Sequence, residues 1–176
     1  MMTSETQPIP FFKRAWVQNG LWIIGALAIY LIMRPIMQGD VVRGQVPALQ
    51  LTSLTGQAFD LSQIKQPTLI HIWAEWCPIC EITRDSVESI AKSHPVISIA
   101  TQSGSDAEVL AYAQQHQMNP QHIINDPNGK LMQAFGTKGV PADFIVDSQG
   151  KIQFVEVGFT SGIGLRLRLW WLGLQD

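Results

Sequence analysis

The chain has 176 residues and a formal net charge of −2 at neutral pH, with its Lys and Arg scattered rather than clustered. Nothing in that balance argues for nucleic acid as a partner. Charged residues make up only 15%, against ~25% in ordinary soluble proteins, so part of the chain is expected to lie outside water.

The N-terminus supplies that part. Residues 1–14 contain Pro8 and Pro10 and are expected to form a short cytoplasmic tail. Ala15 to Met33 carries no charged residue, and a helix over this stretch would span ~28 Å, close to the ~30 Å of a bilayer core. Lys13 and Arg14 precede it and Arg34-Pro35 closes it, with Trp16 and Tyr30 near its ends as interfacial anchors. No small-x-small cleavage site follows, which argues against a removed signal peptide. The expectation is a single-pass inner-membrane anchor over 15–33, in contact with the lipid bilayer. A linker over 34–46 would then lead to one folded domain over 47–176 in the periplasm.

Within that domain, Ala48 to Leu54, the turn Thr55-Gly56-Gln57 and Ala58 to Leu61 predict a β-hairpin. Thr68 to Trp73 is mostly apolar and β-prone, the pattern of a central strand, with His71 as the exception. Pro78 to Ser93 carries apolar residues at helical spacing and ends at Pro95. Val96 to Ala100 predicts a strand. A helix follows from about Asp106 to Gln117, entered through a Ser105/Glu108 capping box. Ile123-Ile124 is a short strand, Asp126-Pro127-Asn128-Gly129 a turn, and Lys130 to Phe135 a short helix ending at Gly136. Ala142 to Val146 and Lys151 to Val157 predict paired strands around Asp147-Ser148-Gln149-Gly150. Ser161 to Leu174 reads as a closing helix, although its Leu-Arg-Leu-Arg-Leu run also fits a strand by period. The order of elements predicts a mixed α/β layer fold.

The only two cysteines, Cys77 and Cys80, stand two residues apart between the buried strand and the helix. A sulfur at a helix N-terminus faces unpaired N–H groups and the positive end of the helix dipole, which favour a thiolate. Cys77 is therefore the expected nucleophile, with its sulfur at the exposed end of the helix. Cys80, one turn further in, is the expected resolving thiol. Two ligands alone do not close a zinc site, and Glu81 stands where covalent haem attachment needs a histidine. No metal and no organic cofactor is expected.

Three features together resemble the thioredoxin fold: Trp73-Ala74-Glu75-Trp76-Cys77-Pro78-Ile79-Cys80 after a buried strand, Gly139-Val140-Pro141 opening another strand, and the Asp147–Gly150 hairpin. The apolar N-terminal stretch and the added hairpin resemble membrane-anchored thioredoxin-like proteins of the bacterial envelope. The tail Gly158-Phe159-Thr160-Ser161 with Leu165 to Trp171 is similar to that of the suppressor-for-copper-sensitivity protein D (ScsD) group. The resemblance implies a thioredoxin-like domain with an N-terminal hairpin extension, a cis Val140-Pro141 bond, and pairing of the Val140 backbone with a substrate peptide. It also implies a buried group six residues before the first cysteine that serves Cys80. That group is an Asp in thioredoxins and His71 here. Asp143, two residues after Pro141, also departs from the family pattern. His71 and Asp143 are expected to form a buried pair beneath Cys80 that tunes its pKa. Trp76 is expected beside Cys77 in contact with substrate, and Trp73 in the core. The cytochrome-maturation type often has an acid three residues after the second cysteine, where this chain has Thr83.

The sequence therefore predicts a thiol:disulfide oxidoreductase of the envelope, exchanging disulfides with protein thiols or disulfides and fed by a membrane electron-transfer partner. Pro78 and Ile79 lack the histidine of strongly oxidising enzymes, which favours the reducing direction. The alternative is a Cu(I)-holding metallochaperone, since soft thiolates select that ion. Its relatives usually have wider cysteine spacing and an added histidine, and the dispersed methionines form no copper-binding cluster.

Overall fold

A computed structural model describes residues 16, 18–29 and 40–175 of the chain. The chain divides into two compact units, residues 1–37 and 38–176. In the first, residues 18–29 are helical. Among the described residues no helix is long and apolar enough to cross a membrane. The expected inner-membrane location, single-pass with a periplasmic domain, is corrected by that finding. The expected tail over 1–14, the ends of the expected anchor and residues 34–39 of the expected linker lie outside the described residues.

The second unit is built on a six-stranded sheet. Its strands are β1 (Gly44–Gln45), β4 (Thr68–Trp73), β5 (Val96–Thr101), β6 (Ile123–Asp126), β7 (Ala142–Val146) and β8 (Lys151–Val157), in the order β1-β8-β7-β4-β5-β6. β4, β5 and β6 run parallel, whereas β7 and β8 run antiparallel to their neighbours. β2 (Gln50–Thr52) and β3 (Ala58–Asp60) form the expected hairpin as a separate two-stranded sheet, with Leu51 opposite Phe59. Four helices complete the unit: α1 (Pro78–Ala91), α2 (Asp106–Gln115), α3 (Lys130–Ala134) and α4 (Gly162–Gly173).

β4, β5 and β7 are buried along their whole length, so alternation of side chains sorts them into two cores. On one face Ile70, Ile72, Ile97, Ile99, Phe144 and Val146 pack with Leu51, Leu61 and Phe135. On the other, Leu69 and Ile145 meet Val87 and Ile90 of α1 and Leu165, Leu169 and Leu172 of α4. This second face also carries the polar exceptions His71, Ser98 and Asp143, all buried. They lie toward the end of the sheet where β4 runs out into the two cysteines.

Local chemistry sets the element ends. Ser105 and Glu108 form the reciprocal capping box that starts α2. Asp147 accepts from the amides of Gln149 (3.0 Å) and Lys151 (2.8 Å), closing the β7–β8 turn. α4 is a helix, because Leu165, Leu169 and Leu172 fall on one face at spacings of four and three. Trp170 and Trp171 stand on its outer face, 57% and 54% exposed.

The stretch expected as a linker joins the fold from Val41 onward. Val41 and Val46 are buried, β1 pairs with β8, and the Val42 amide donates to the Phe135 carbonyl at 3.0 Å. Gly136, at φ +67°, lies so close to the Asp40 backbone that a Cβ there would collide with it.

Candidate active site

α1 begins at the first cysteine. Cys77 is the N-cap, with extended φ and ψ, and Pro78 fills the first turn, where its missing N–H costs nothing. The Cys77 sulfur accepts the Cys80 amide at 3.2 Å. A sulfur thus takes the part that a Ser or Asp oxygen plays at most helix starts. Both cysteines are free thiols.

The sequence places Cys77 at an exposed helix end, yet only 5% of it is exposed. The loop before β7 accounts for this. The Val140-Pro141 bond is cis, as the resemblance implies, and the Cys77 thiol points at the Val140 carbonyl across 3.6 Å. Val140 is partly buried and Pro141 buried. Trp76 is 61% exposed, and its indole N–H donates to the Gln102 carbonyl at 3.1 Å. Gln102 sits at φ +48°, a left-handed conformation uncommon for a residue with a Cβ. The loop before Cys77 is tied down by Ser103, whose hydroxyl oxygen accepts the Glu75 amide at 2.9 Å. Trp73 is in the core, as expected, donating its indole N–H to Ser98 Oγ at 2.8 Å.

Beneath the cysteines, His71 and Asp143 are register partners on β4 and β7. Their side chains meet at 2.7 Å between Nδ1 and Oδ1, and each residue is 3% exposed. The pair expected from the sequence is therefore formed. Cys80, His71 and Trp73 line one small cavity together with Arg84 and Glu88 of α1. The Cys80 thiol is pushed well above the ordinary thiol range. Burial is the main cause, followed by its hydrogen bond with Cys77, and the charges of Cys77 and Asp143 act in the same direction. Thr83 turns its hydroxyl to the carbonyls of Ile79 (3.2 Å) and Cys80 (3.1 Å), so it contributes no charge to the site.

Ser98, Gln102, Ser103, Arg84 and Glu88 surround the site without having been singled out from sequence. For the last two a signal exists: Cys80, Arg84 and Glu88 are spaced four apart and so share one face of α1. His94, His116 and His122 are partly exposed. Among the described residues no group of three or more His, Cys, Asp or Glu is placed to hold a metal ion.

Comparison with known proteins is consistent across sequence and structure. The family model described as Redoxin matches residues 42–162. A "Thioredoxin-like protein" of Haemophilus influenzae is 30% identical over 87% of this chain and 92% of its own length. "Thiol:disulfide interchange protein DsbE" of Allochromatium vinosum is 30% identical over 83% of this chain and 84% of its own. Among solved structures, MTB dsbF, described in its mixed oxidized and reduced forms, superposes with a TM-score of 0.63 at 25% identity. That match covers 71% of this chain and 95% of the other.

Proposed function

This chain belongs to the Redoxin family and is a thiol–disulfide oxidoreductase, and from that premise we propose that Cys77 is its nucleophile and Cys80 its resolving thiol. The observation that carries the assignment is the Cys77 sulfur capping α1 at 3.2 Å from the Cys80 amide. That position gives a thiolate a hydrogen-bond donor and the positive end of the helix. In the reducing direction the Cys77 thiolate attacks one sulfur of a substrate disulfide, the S–S bond breaks, and one substrate thiolate leaves. Cys80 loses its proton and attacks the Cys77 sulfur of the mixed disulfide, which releases the second substrate thiolate. Two electrons have passed to the substrate, and the protein holds a Cys77–Cys80 disulfide. A dithiol or another two-electron donor then reduces it to the two thiols. The reducing direction is favoured by the Pro78-Ile79 pair, which carries no histidine donor.

Cys80 is the harder thiol to deprotonate, and the His71–Asp143 pair serves it. An ionised carboxylate can only accept, so the 2.7 Å contact fixes the proton on His71 Nδ1 and leaves Nε2 as a base. His71 and Cys80 line the same cavity, which lets the imidazole accept the Cys80 proton. Val140 and Pro141 cover Cys77 and present the Val140 backbone to an extended substrate segment, while exposed Trp76 supplies an apolar contact beside the sulfur. The tail from Gly158 to Trp171 supports placing the chain near the ScsD group.

A disulfide-reduction assay on insulin with a thiol donor tests the roles. Cys77→Ser is expected to lose activity entirely. Cys80→Ser is expected to accumulate mixed disulfides that dithiothreitol releases. Full turnover by Cys80→Ser would refute its resolving role.

A further inference from the structure

The cavity beneath Cys80 does not end at His71. Arg84 and Glu88 line it, and the same two residues line an open groove on the outer surface together with Lys92 and His116. The two spaces therefore share a wall. Cys80, Arg84 and Glu88 form one stripe along α1, four residues apart. Two nitrogens of Arg84, Nε and Nη1, are buried without a hydrogen-bond partner among the described residues, so this wall is polar. Arg84 Nε has only an ion pair, with Asp85 Oδ1 at 3.4 Å, and Asp85 is 88% exposed.

We propose that Glu88 is the outlet of the proton released by Cys80, carrying it from the His71 side of the buried cavity to the surface groove. The inference rests on the assignment of His71 as the inner base. The step moves only a proton: the Cys80 S–H bond breaks, His71 takes the proton, and the Glu88 carboxylate receives it and gives it to water. The sulfur keeps its electron pair for attack on Cys77. Glu88 is suited to the task because it belongs to both spaces. One carboxylate oxygen accepts the Asn119 amide at 3.2 Å, which holds the side chain across the wall. Burial raises the Glu88 pKa, opposed first by that amide, then by His122, His71 and Lys92, and a carboxyl moved toward neutrality gives and takes protons more evenly. Arg84, Cys80 and Tyr112 in the buried cavity and Asp85 and His116 in the groove are the other charged or titratable groups that line the two spaces with it. Glu88 is a positioning and proton-transfer residue and touches no substrate.

The full chain reduced and mixed with 5,5′-dithiobis(2-nitrobenzoate) separates the two thiol steps. The first thionitrobenzoate released reports attack by Cys77, and the second reports attack by Cys80 on the mixed disulfide. In Glu88→Gln the second phase is expected to slow about tenfold between about pH 6 and pH 7.5, with the first phase unchanged within about twofold. The defect is expected to vanish as pH rises above about 9, where hydroxide takes the proton directly, and Glu88→Asp is expected to restore at least half of the lost rate. A second phase equal to that of the unaltered protein at every pH overturns the proposal, as does a slowing that is equal at every pH and not restored by Asp. If His71→Ala slows the second phase while Glu88→Gln does not, only the outlet fails. If neither variant slows it, the inner base fails as well.

Discussion

His71 and Asp143 hold each other in a place where neither is stable alone. Both are almost wholly buried and meet at 2.7 Å, but the two halves are not equivalent. Removing the carboxylate leaves a neutral imidazole short of one partner, a loss of about 1–3 kcal/mol. Removing the imidazole leaves a buried carboxylate without its partner, a loss of about 3–5 kcal/mol. Urea unfolding of the reduced protein at neutral pH should therefore rank His71→Ala as more destabilising than Asp143→Ala. Asp143→Asn, which can still accept from Nδ1, should fall nearer the unaltered protein. Cys80 adds a pH dependence of definite sign. Its pKa is raised on folding, so the folded chain keeps the proton after the unfolded chain has released it. That contribution is fully present below the unfolded thiol value of about 8.5 and declines as pH rises from there toward the folded value. The oxidised protein has no thiol to titrate. The urea midpoint of the reduced form should drop relative to the oxidised form between about pH 8 and pH 10, and parallel curves would remove Cys80 as the cause.

Whether an element can be read from sequence depends on how local its cause is. β4 shows its central place through apolar residues on both faces, and α2 announces its start through Ser105 and Glu108, because each pattern is complete within a few residues. The His71–Asp143 pair was legible only because the family resemblance brings β4 beside β7. The burial of Cys77 was not legible, since it comes from Val140, more than sixty residues away. The exposure of Trp170 and Trp171 has a different cause. Large apolar residues suggest a core, but helical phase decides, and the phase of α4 is set by Leu165, Leu169 and Leu172. Phase also makes a prediction within the Leu-Arg-Leu-Arg-Leu run. Leu169 is 1% exposed and Leu167 58% exposed. Leu169→Ala should cost about 2–5 kcal/mol by emptying part of the packed layer under α1. Leu167→Ala should stay within about 0.5 kcal/mol. Equal losses in urea unfolding would mean that α4 does not present this face to the sheet.

For the domain as a whole, the decisive question is where its fold begins. A beginning at residue 47 follows from composition, since Gly39, Gly44 and Pro47 with few large side chains suit a linker. Short pairings carry no such signature: β1 is two residues long, too short to show a period. Yet this segment caps the edge of the sheet at β8, where unpaired N–H and C=O groups would otherwise offer a template for another chain. It also buries Val41 and Val46 in the larger core with Phe135 and Ile152, and the Val42 amide ties it to the end of α3. Burying a valine side chain contributes about 1.5–3 kcal/mol. A chain beginning at residue 47 should therefore be less stable than one beginning at residue 40 by about 3–5 kcal/mol, and should self-associate more through the bared β8 edge. Gly136→Ala in the full chain should mimic part of this loss, because the added methyl both strains a residue at φ +67° and displaces the Asp40 backbone. Urea unfolding and sedimentation of the three proteins separate the contributions. Lower stability without association would assign the segment to the core alone, whereas a chain from residue 47 as stable as one from residue 40 would return residues 40–46 to the role of a linker.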